Sequence, residues 1–373
     1  MKITILSPAY PLRGGIANFA GSLFKELNKE FSVNVISFKK QYPSFLFPGK
    51  TQNELDPESE IINAESLIDS TNPFNWREVG KRIKLDKPDL LIIQFWLPFF
   101  TPCLKSISKI VKKNSHTKIL TICHNIIPHE KRPGDIFLTK LFFKYVDKFI
   151  LLSETVKDEL LKIKKNAKYK IIHHPVYNKF GDEIEKDKAK EYLKIDTEKL
   201  LLFFGFIRDY KGLDVLLEAI SLIDKKENIK LLVAGEYYSN ETKYKKLISE
   251  LDIDNSLILK TDFIPASEVK YYFSAADVVI LPYKTASQSG IAQIAMNFNK
   301  SVIASNVGGL SEIIIDNQTG LLVEKENPEI LAEAILKFYN HKLEEKYDSF
   351  IKMEKEKYSW LSFSNQLINF VKT

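Results

Sequence analysis

Cysteine is scarce in this chain of 373 residues, which contains only Cys103 and Cys123. Neither belongs to a CxxC pair or to a mixed cysteine–histidine spacing, so the sequence gives no zinc site and favours a reducing compartment. The six histidines show no HExxH pattern either. We therefore expect no metal ion and no other cofactor.

Long apolar runs are also lacking. The most apolar stretch, LLIIQFWLPFF from Leu90, is interrupted by Pro98 and is too short to span a membrane. The first residues, MKITILSPAYP, hold a short apolar run that Ser7 and Pro8 break, and they do not have the pattern of a signal peptide. We expect a cytoplasmic protein. Peripheral contact with the inner face of the plasma membrane is compatible with this location.

Dense basic blocks with interleaved aromatics are missing, which argues against nucleic acid as a partner. The net charge of +6 still favours an anionic partner. The segments KSISKIVKK and LTKLFFKYVDKFI mix lysines with large apolar residues, as helices on anionic lipid surfaces do. An amphipathic helix packed on a sheet explains both segments more simply, and we favour it over membrane contact.

Apolar runs that resemble strands alternate with helical patterns along the whole chain. This alternation predicts an α/β fold with two Rossmann-like, doubly wound parallel sheets that face a cleft. The first half contains KITILSPAY, VNVISF, DLLIIQFW, KILTICHN, KFILLS and KIIHHP, and the second contains KLLLFFGF, IKLLVAGE, SLILKTDF, DVVILPY, SVIASN and TGLLVE. We predict an N-terminal domain over 1–175 that includes a C-terminal helix at 359–373, and a C-terminal domain over 176–358.

The stretch LLFFGFIRDYKG, from Leu201, places two cations just after a predicted buried strand. The strand ends at Gly205, and Arg208 and Lys211 follow it. Ligands of α/β sheets bind at the carboxyl ends of strands, and both side chains suit a diphosphate. For such a pair alone, two solvated cations in a loop would be the simpler interpretation.

A second predicted wall comes from LPYKTASQSGIAQIAM, where a helix begins after another strand. The amides of Ser289, Gly290 and Ile291 would lie at its positive end and could hold phosphate oxygens. Gly309 belongs to a further turn at the edge of the cleft. Together these strand ends favour a diphosphate site over two solvated cations.

The first strand leads to Gly14 and Gly15, which precede a helix and could approach an anion or a sugar. They form neither a GxGxxG fingerprint nor a Walker loop. His124 and Asn125 follow the fourth strand of the first half and are predicted to contact substrate. The DxD string at Asp252 lies in a helix-to-strand loop, at the end of the sheet that does not bind ligands, and we interpret it as structural.

Taken together, the motifs RGGIANF, TICHN, GFIRDYKGLD, ADVVILPY, VGGLSE and NQTGLLV resemble, in order and spacing, a retaining glycosyltransferase of family 4 with the GT-B fold. The resemblance covers nearly the full length. It implies that a sugar moves from a nucleotide-sugar donor to a glycan or lipid-linked saccharide. It also implies a nucleotide held by the C-terminal domain, an acceptor on the N-terminal domain and a last helix that crosses back to the first domain.

The resemblance implies that His124 contacts the donor sugar, and that Arg208 and Lys211 bind the diphosphate. Family members usually have their arginine directly after the strand-end glycine, whereas Arg208 comes three places after Gly205. They also carry a Glu-x7-Glu motif, which is missing here. Gln288 and Gln293 are the nearest polar substitutes, and they would bring no charge.

No carboxylate is evident as a nucleophile. Front-face attack, in which the departing phosphate takes the proton of the acceptor, therefore fits the residues better than a glycosidase scheme with two carboxylates. Two other interpretations stay open. One is a binding protein that holds a nucleotide sugar without transfer, and the other is a different GT-B enzyme, such as a nucleotide-sugar epimerase or a phosphorylase with pyridoxal phosphate.

Overall fold

The structure is a computed structural model that describes residues 1–42, 62–128, 133–177, 180–286 and 289–373. The described residues form two compact units. The N-terminal unit contains the described residues up to His174 together with Trp360–Thr373, and the C-terminal unit is Pro175–Ser359.

The N-terminal unit is built on a parallel sheet that has seven strands in the described residues, in the order β3-β2-β1-β4-β5-β6-β7. Its central strands are buried almost throughout and are mostly apolar, because helices cover both faces of a parallel sheet. The strands are β1 Lys2–Leu6, β2 Ser32–Lys40, β3 Ala64–Asp69, β4 Leu90–Phe95, β5 Lys118–Cys123, β6 Lys148–Leu151 and β7 Tyr169–Ile171. The helices are α1 Gly15–Leu27, α2 Pro73–Asp86, α3 Thr101–Val111, α4 Asp135–Phe143 and α5 Glu154–Ile163.

The C-terminal unit has a parallel sheet of six strands among its described residues, in the order β10-β9-β8-β11-β12-β13. Its helices bury a separate apolar core. The strands are β8 Lys199–Phe204, β9 Ile229–Ala234, β10 Leu257–Lys260, β11 Val278–Leu281, β12 Ser301–Ser305 and β13 Gly320–Val323. The helices are α6 Lys186–Leu193, α7 Leu213–Ser221, α8 Glu241–Leu251, α9 Val269–Ala275, α10 Gly290–Asn297, α11 Leu310–Ile313, α12 Pro328–Asn340 and α13 Leu343–Lys355.

The last helix, α14 (Trp360–Lys372), packs on α1 of the N-terminal unit, as the predicted return of the chain requires. The ring of Phe19 on α1 lies 5.0 Å from that of Trp360 and 5.6 Å from that of Phe363, in edge-on contacts. At the other end of α14, Lys148 Nζ donates to the carbonyl of Phe370 across 2.6 Å. A cation is favourable at this negative helix end.

Two elements differ from the sequence prediction. Strand β3 was not predicted, and it adds a seventh strand at the edge of the first sheet. Helix α6 was not predicted either, and it lies in a mostly polar stretch of the sequence. Within the described residues, no helix has the length and apolar composition that crossing a membrane demands.

Candidate functional site

The middle of the C-terminal sheet contains a topological switch point, between the neighbouring strands β8 and β11. Ligands of doubly wound sheets bind at the carboxyl ends of the strands beside such a point. The two loops that leave these strands are in direct contact. Lys284 N donates to Tyr210 O across 2.8 Å. A Cβ atom placed on Gly212, whose φ is +71°, would lie 1.9 Å from Pro282 O, so no other residue fits there without displacing the backbone.

Lys211 lies in the loop after β8 and is only 8% exposed. A Cβ atom on Gly205 would lie 3.1 Å from its Nζ, so the glycine leaves room for the ammonium group. Among the described residues, Nζ has no carboxylate or hydrogen-bond partner; it lies 5.8 Å from the centre of the Tyr283 ring. Burial, with repulsion from Arg208, lowers the pKa of Lys211 to about 7.

Arg208 is half-buried beside an aromatic pair. Its Cζ lies 5.2 Å from the ring centre of Tyr238, and that ring stacks on Phe206 at 4.2 Å. The next residue anchors the loop, since Asp209 Oδ1 accepts a hydrogen bond from Tyr244 Oη at 3.2 Å. Contacts from the neighbouring loop and helix therefore hold the segment that carries both cations.

Helix α10 begins at the end of the loop that leaves β11. Ser289 caps it, because its Oγ accepts a hydrogen bond from Ala292 N at 3.3 Å. Gly290 is close-packed, since a Cβ there would lie 3.2 Å from a ring carbon of Tyr177. Ile291 Cδ1 lies 3.3 Å from the position of a Cβ on Gly205. The structure thus brings Gly205, Lys211 and the positive end of α10 to one place.

Two other candidates of the C-terminal unit, Gln293 and Gly309, have different surroundings. Gln293 is fully buried on α10, and neither Oε1 nor Nε2 has a hydrogen-bond partner in the described parts of the chain. Gly309 is buried directly before α11, with an ordinary φ of −69°. Gln288 lies outside the described residues, so the prediction made for it stays a prediction.

The N-terminal candidates follow β1 and β5. Gly14 has a φ of +112° and caps α1, and Gly15 is its exposed first residue. His124 is 1% exposed, directly before the half-buried Asn125. Its Nε2 lies 2.8 Å from Oε1 of Gln94 on β4, at hydrogen-bond distance. Since a carboxamide oxygen only accepts, Nε2 carries the proton.

The surroundings of His124 keep its imidazole neutral. Burial, with a smaller contribution from His174, lowers the pKa of His124 well below its ordinary value. Phe19 contacts both imidazoles edge-on, at 4.9 Å from His124 and 5.1 Å from His174. In this state His124 can donate one hydrogen bond from Nε2, and Gln94 fixes the orientation of the ring.

Glu236 is a buried charged residue that was not predicted from the sequence. It follows β9, the strand beside β8, and its carbonyl accepts a hydrogen bond from Ile207 N at 2.9 Å. A Cβ on Gly235 would lie 2.4 Å from the carbonyl oxygen of Gly205, so the two strand-end glycines are packed together. The signal was present: a glycine and a charged residue end an apolar run here, as they do after β8.

The DxD string lies on the amino side of β10, away from the loops described above. Asp252 forms the C-cap of α8 and pairs with Lys225 at 2.7 Å. Nowhere in the described residues do three or more His, Cys, Asp or Glu side chains gather in a way that could hold a metal ion.

Comparison with known proteins covers both units. Residues 13–178 match the family described as Glycosyltransferase Family 4, and residues 184–357 match Glycosyl transferases group 1. The chain belongs to the family 4 and group 1 glycosyltransferases. This glycosyltransferase is 28% identical, over 349 residues, to an uncharacterized glycosyltransferase of Methanocaldococcus jannaschii, with 91% of this chain and 89% of the relative covered.

Solved structures share the fold at lower identity. The Anabaena protein HepE in complex with UDP matches with a TM-score of 0.77 and 15% identity, over 100% of both chains. A sucrose-phosphate synthase of Thermosynechococcus elongatus matches with a TM-score of 0.76 and 16% identity, over 99% of this chain and 98% of the other. The predicted GT-B type, with two Rossmann-like parallel-sheet domains, is confirmed.

Proposed function

We propose that this glycosyltransferase moves a hexose-type sugar from a nucleoside-diphosphate sugar to a saccharide or lipid-linked acceptor, with retention of the anomeric configuration. The observation that carries the proposal is the environment of Lys211. This lysine carries a buried ammonium group at a switch point and has no anionic partner among the described residues. Burying an unpaired charge is costly, so such a group is expected where a ligand supplies the opposite charge.

The diphosphate is assigned to the loops after β8 and β11. Arg208 would supply a fork of donors, Lys211 a point charge, and the amides at Ser289, Gly290 and Ile291 the positive end of α10. The Anabaena neighbour has been solved with UDP and with UDP-glucose, which supports a nucleoside-diphosphate ligand of this class. The remaining donor contacts are proposed for Gly205, Gln288, Gln293 and Gly309.

In the proposed reaction, the bond between the anomeric carbon and the diphosphate oxygen breaks. The electron pair leaves with the diphosphate, and Arg208, Lys211 and the helix amides stabilise its charge. The acceptor oxygen bonds to the anomeric carbon from the same face, and its proton passes to the departing phosphate oxygen. These cationic and amide groups would neutralise the diphosphate themselves, so we propose that the reaction requires no metal ion.

We propose that residues of the N-terminal unit contact the sugar and the acceptor. His124 would donate from Nε2 to a hydroxyl of the donor sugar, with Asn125, Gly14 and Gly15 beside the substrates. A donation to substrate would replace the bond to Gln94, so Gln94 acts in this scheme as a positioning residue. The neutral state of His124 suits donation to a hydroxyl.

The decisive experiment is a panel of UDP-, GDP- and ADP-sugars, measured first by thermal shift and then by product formation with saccharide acceptors. We expect one donor class to stabilise the protein and to be consumed only when an acceptor is present. The double variant Arg208→Ala/Lys211→Ala should lose transfer by about a thousandfold or more, the effect expected when groups that stabilise charge in a transition state are removed.

The matched control is Lys225→Ala/Lys226→Ala, which removes two cations from the opposite end of the same sheet. Near-normal transfer by the Arg208/Lys211 variant would refute the assignment. Stabilisation by a donor without turnover would instead indicate a binding protein, and alteration of the donor sugar without acceptor would indicate an epimerase.

A further inference from the structure

Helix α4 carries large apolar side chains on both of its faces. On the inner face, the Phe143 ring packs against Phe95 at 5.3 Å and against Phe149 at 4.9 Å. On the outer face, Ile136 is 51% exposed and Phe137 is 64% exposed. Two adjacent large apolar residues are thus exposed on one helix, and adjoining exposed apolar side chains are a feature of interaction sites.

Lysines continue this outer face at helical spacing. Lys140 and Lys144 follow Ile136 at intervals of four residues and are exposed. The neighbouring helix α3 adds to the positive charge near this face, because it carries Lys105 and Lys109 and has no acidic residue. The acidic residue of α4 is Asp135, in its first turn. We define the α4 outer face as Ile136, Phe137, Lys140 and Lys144.

The charge of the chain is divided very unequally between the units. Residues 1–174 and 360–373 contain 29 lysines and arginines and 17 aspartates and glutamates, a net charge of +12. Residues 175–359 contain 25 basic and 31 acidic residues, a net charge of −6. The modest net charge of the whole chain conceals a strongly basic N-terminal part, which carries the α4 outer face.

We propose that the α4 outer face docks on the surface of an anionic lipid bilayer. Lysine is depleted in protein–protein interfaces, whereas helices that lie on membranes combine aromatic and aliphatic residues with lysines. A second copy of this chain would bring one +12 region against another, which opposes a symmetric contact. Docking would hold the enzyme where a lipid-linked acceptor is found, and this consequence, unlike docking itself, rests on the proposed function.

The test is co-sedimentation of the full chain with vesicles of phosphatidylcholine, alone or mixed with phosphatidylglycerol. We expect binding to require phosphatidylglycerol and to weaken as salt is raised. Ile136→Ser/Phe137→Ser should weaken binding about tenfold or more, through loss of the apolar contact. Lys140→Glu/Lys144→Glu should also weaken binding, because it replaces attraction to the anionic headgroups by repulsion. The matched control is Phe74→Ser, on α2 of the same unit, where Phe74 is 72% exposed.

The thermal shift caused by the nucleotide-sugar donor tests the proposed function independently of membrane docking. Ile136→Ser/Phe137→Ser should respond to the donor as the wild type does while it loses vesicle binding. The proposal is overturned if the wild type does not sediment with phosphatidylglycerol vesicles, or if the α4 variants bind as well as Phe74→Ser. A dimer that dissociates in Ile136→Ser/Phe137→Ser would also overturn it, because the face would then bind a second copy.

Discussion

His124 and Lys211 are both basic side chains buried at strand ends, one in each unit, and burial lowers the pKa of both. Their surroundings differ in one respect. His124 is neutral and already has a partner in Gln94, while Lys211 has none among the described residues. The histidine is a satisfied part of its unit, whereas the lysine is held at a cost in folding free energy that a bound anion would relieve.

We therefore expect Lys211 to oppose folding and to promote the binding of an anion. Lys211→Met keeps the length of the side chain and removes the charge. We expect it to lower the affinity for the nucleoside diphosphate about 100-fold or more, because truncating one partner of a buried charge pair typically costs about 2–5 kcal/mol. The same variant should be more stable than the wild type without ligand at pH 7.

Calorimetric titration and thermal unfolding of one sample measure both effects, with Lys225→Met as the exposed control. The sign of the stability change follows from the pKa. Since folding lowers the pKa of Lys211 from 10.5 to about 7, its contribution to stability is lost as pH falls from 10.5 towards 7. The gain in Lys211→Met should thus disappear near pH 10.5. A less stable variant at pH 7 would contradict the comparison.

A change at His124 should have the opposite signature. His124→Leu leaves the buried amide of Gln94 without its partner, which should lower the free energy of unfolding by about 1–3 kcal/mol. Nucleoside-diphosphate affinity should stay within about twofold of the wild type, while transfer falls. Chemical denaturation measures the change in stability, nucleotide titration measures the affinity, and a transfer assay measures the activity. Weakened nucleotide binding like that of Lys211→Met would break the distinction between the two residues.

The pH dependence of nucleotide binding sharpens the contrast further. Above pH 7 free Lys211 loses its proton, and a diphosphate must restore it, so affinity should fall by up to about tenfold for each pH unit above 7. Titrations in buffers of different ionisation enthalpy should show proton uptake in this window. Lys211→Met should show neither effect, and a pH-dependent slope retained in that variant would assign the titration to another group.

The smallest expected effect concerns Tyr238, which lies beside Arg208. Tyr238→Leu removes the aromatic face and leaves the charge in place. A cation–π contact of this kind contributes about 0.5–1 kcal/mol, so we expect nucleotide affinity to weaken about two- to fivefold. Titration against Tyr192→Leu, a tyrosine on α6, provides the control. A larger loss, comparable with that of Lys211→Met, would mean that Tyr238 contacts the ligand itself.

The sequence predicted the fold well because buried parallel strands are continuous apolar runs. Strand β3 escaped detection since AESLID lies at an edge of the sheet and fully buries only Ile68, so its composition resembles a loop. Helix α6 was hidden in a similar way, because KDKAKEYL buries just Ala189 and Leu193 beneath a polar surface.

For the candidate site, order along the chain indicated Gly205 and Lys211, since strand ends and turns are local features. The partner of His124 was out of reach, because Gln94 lies thirty residues earlier and only the register of β4 against β5 brings the two together. The missing partner of Lys211 was equally invisible, as it depends on every side chain that packs nearby.

The docking of α14 on α1 has a consequence for how the protein is made. The ribosome produces all 185 residues of the C-terminal unit, Pro175–Ser359, before it reaches the helix that covers Phe19. During synthesis the C-terminal unit therefore has all of its segments before α14 exists, and the apolar side chains of α1 that α14 contacts, such as Phe19, stay open to solvent. A nascent chain arrested before Trp360 would expose this apolar surface and should be a substrate for chaperones.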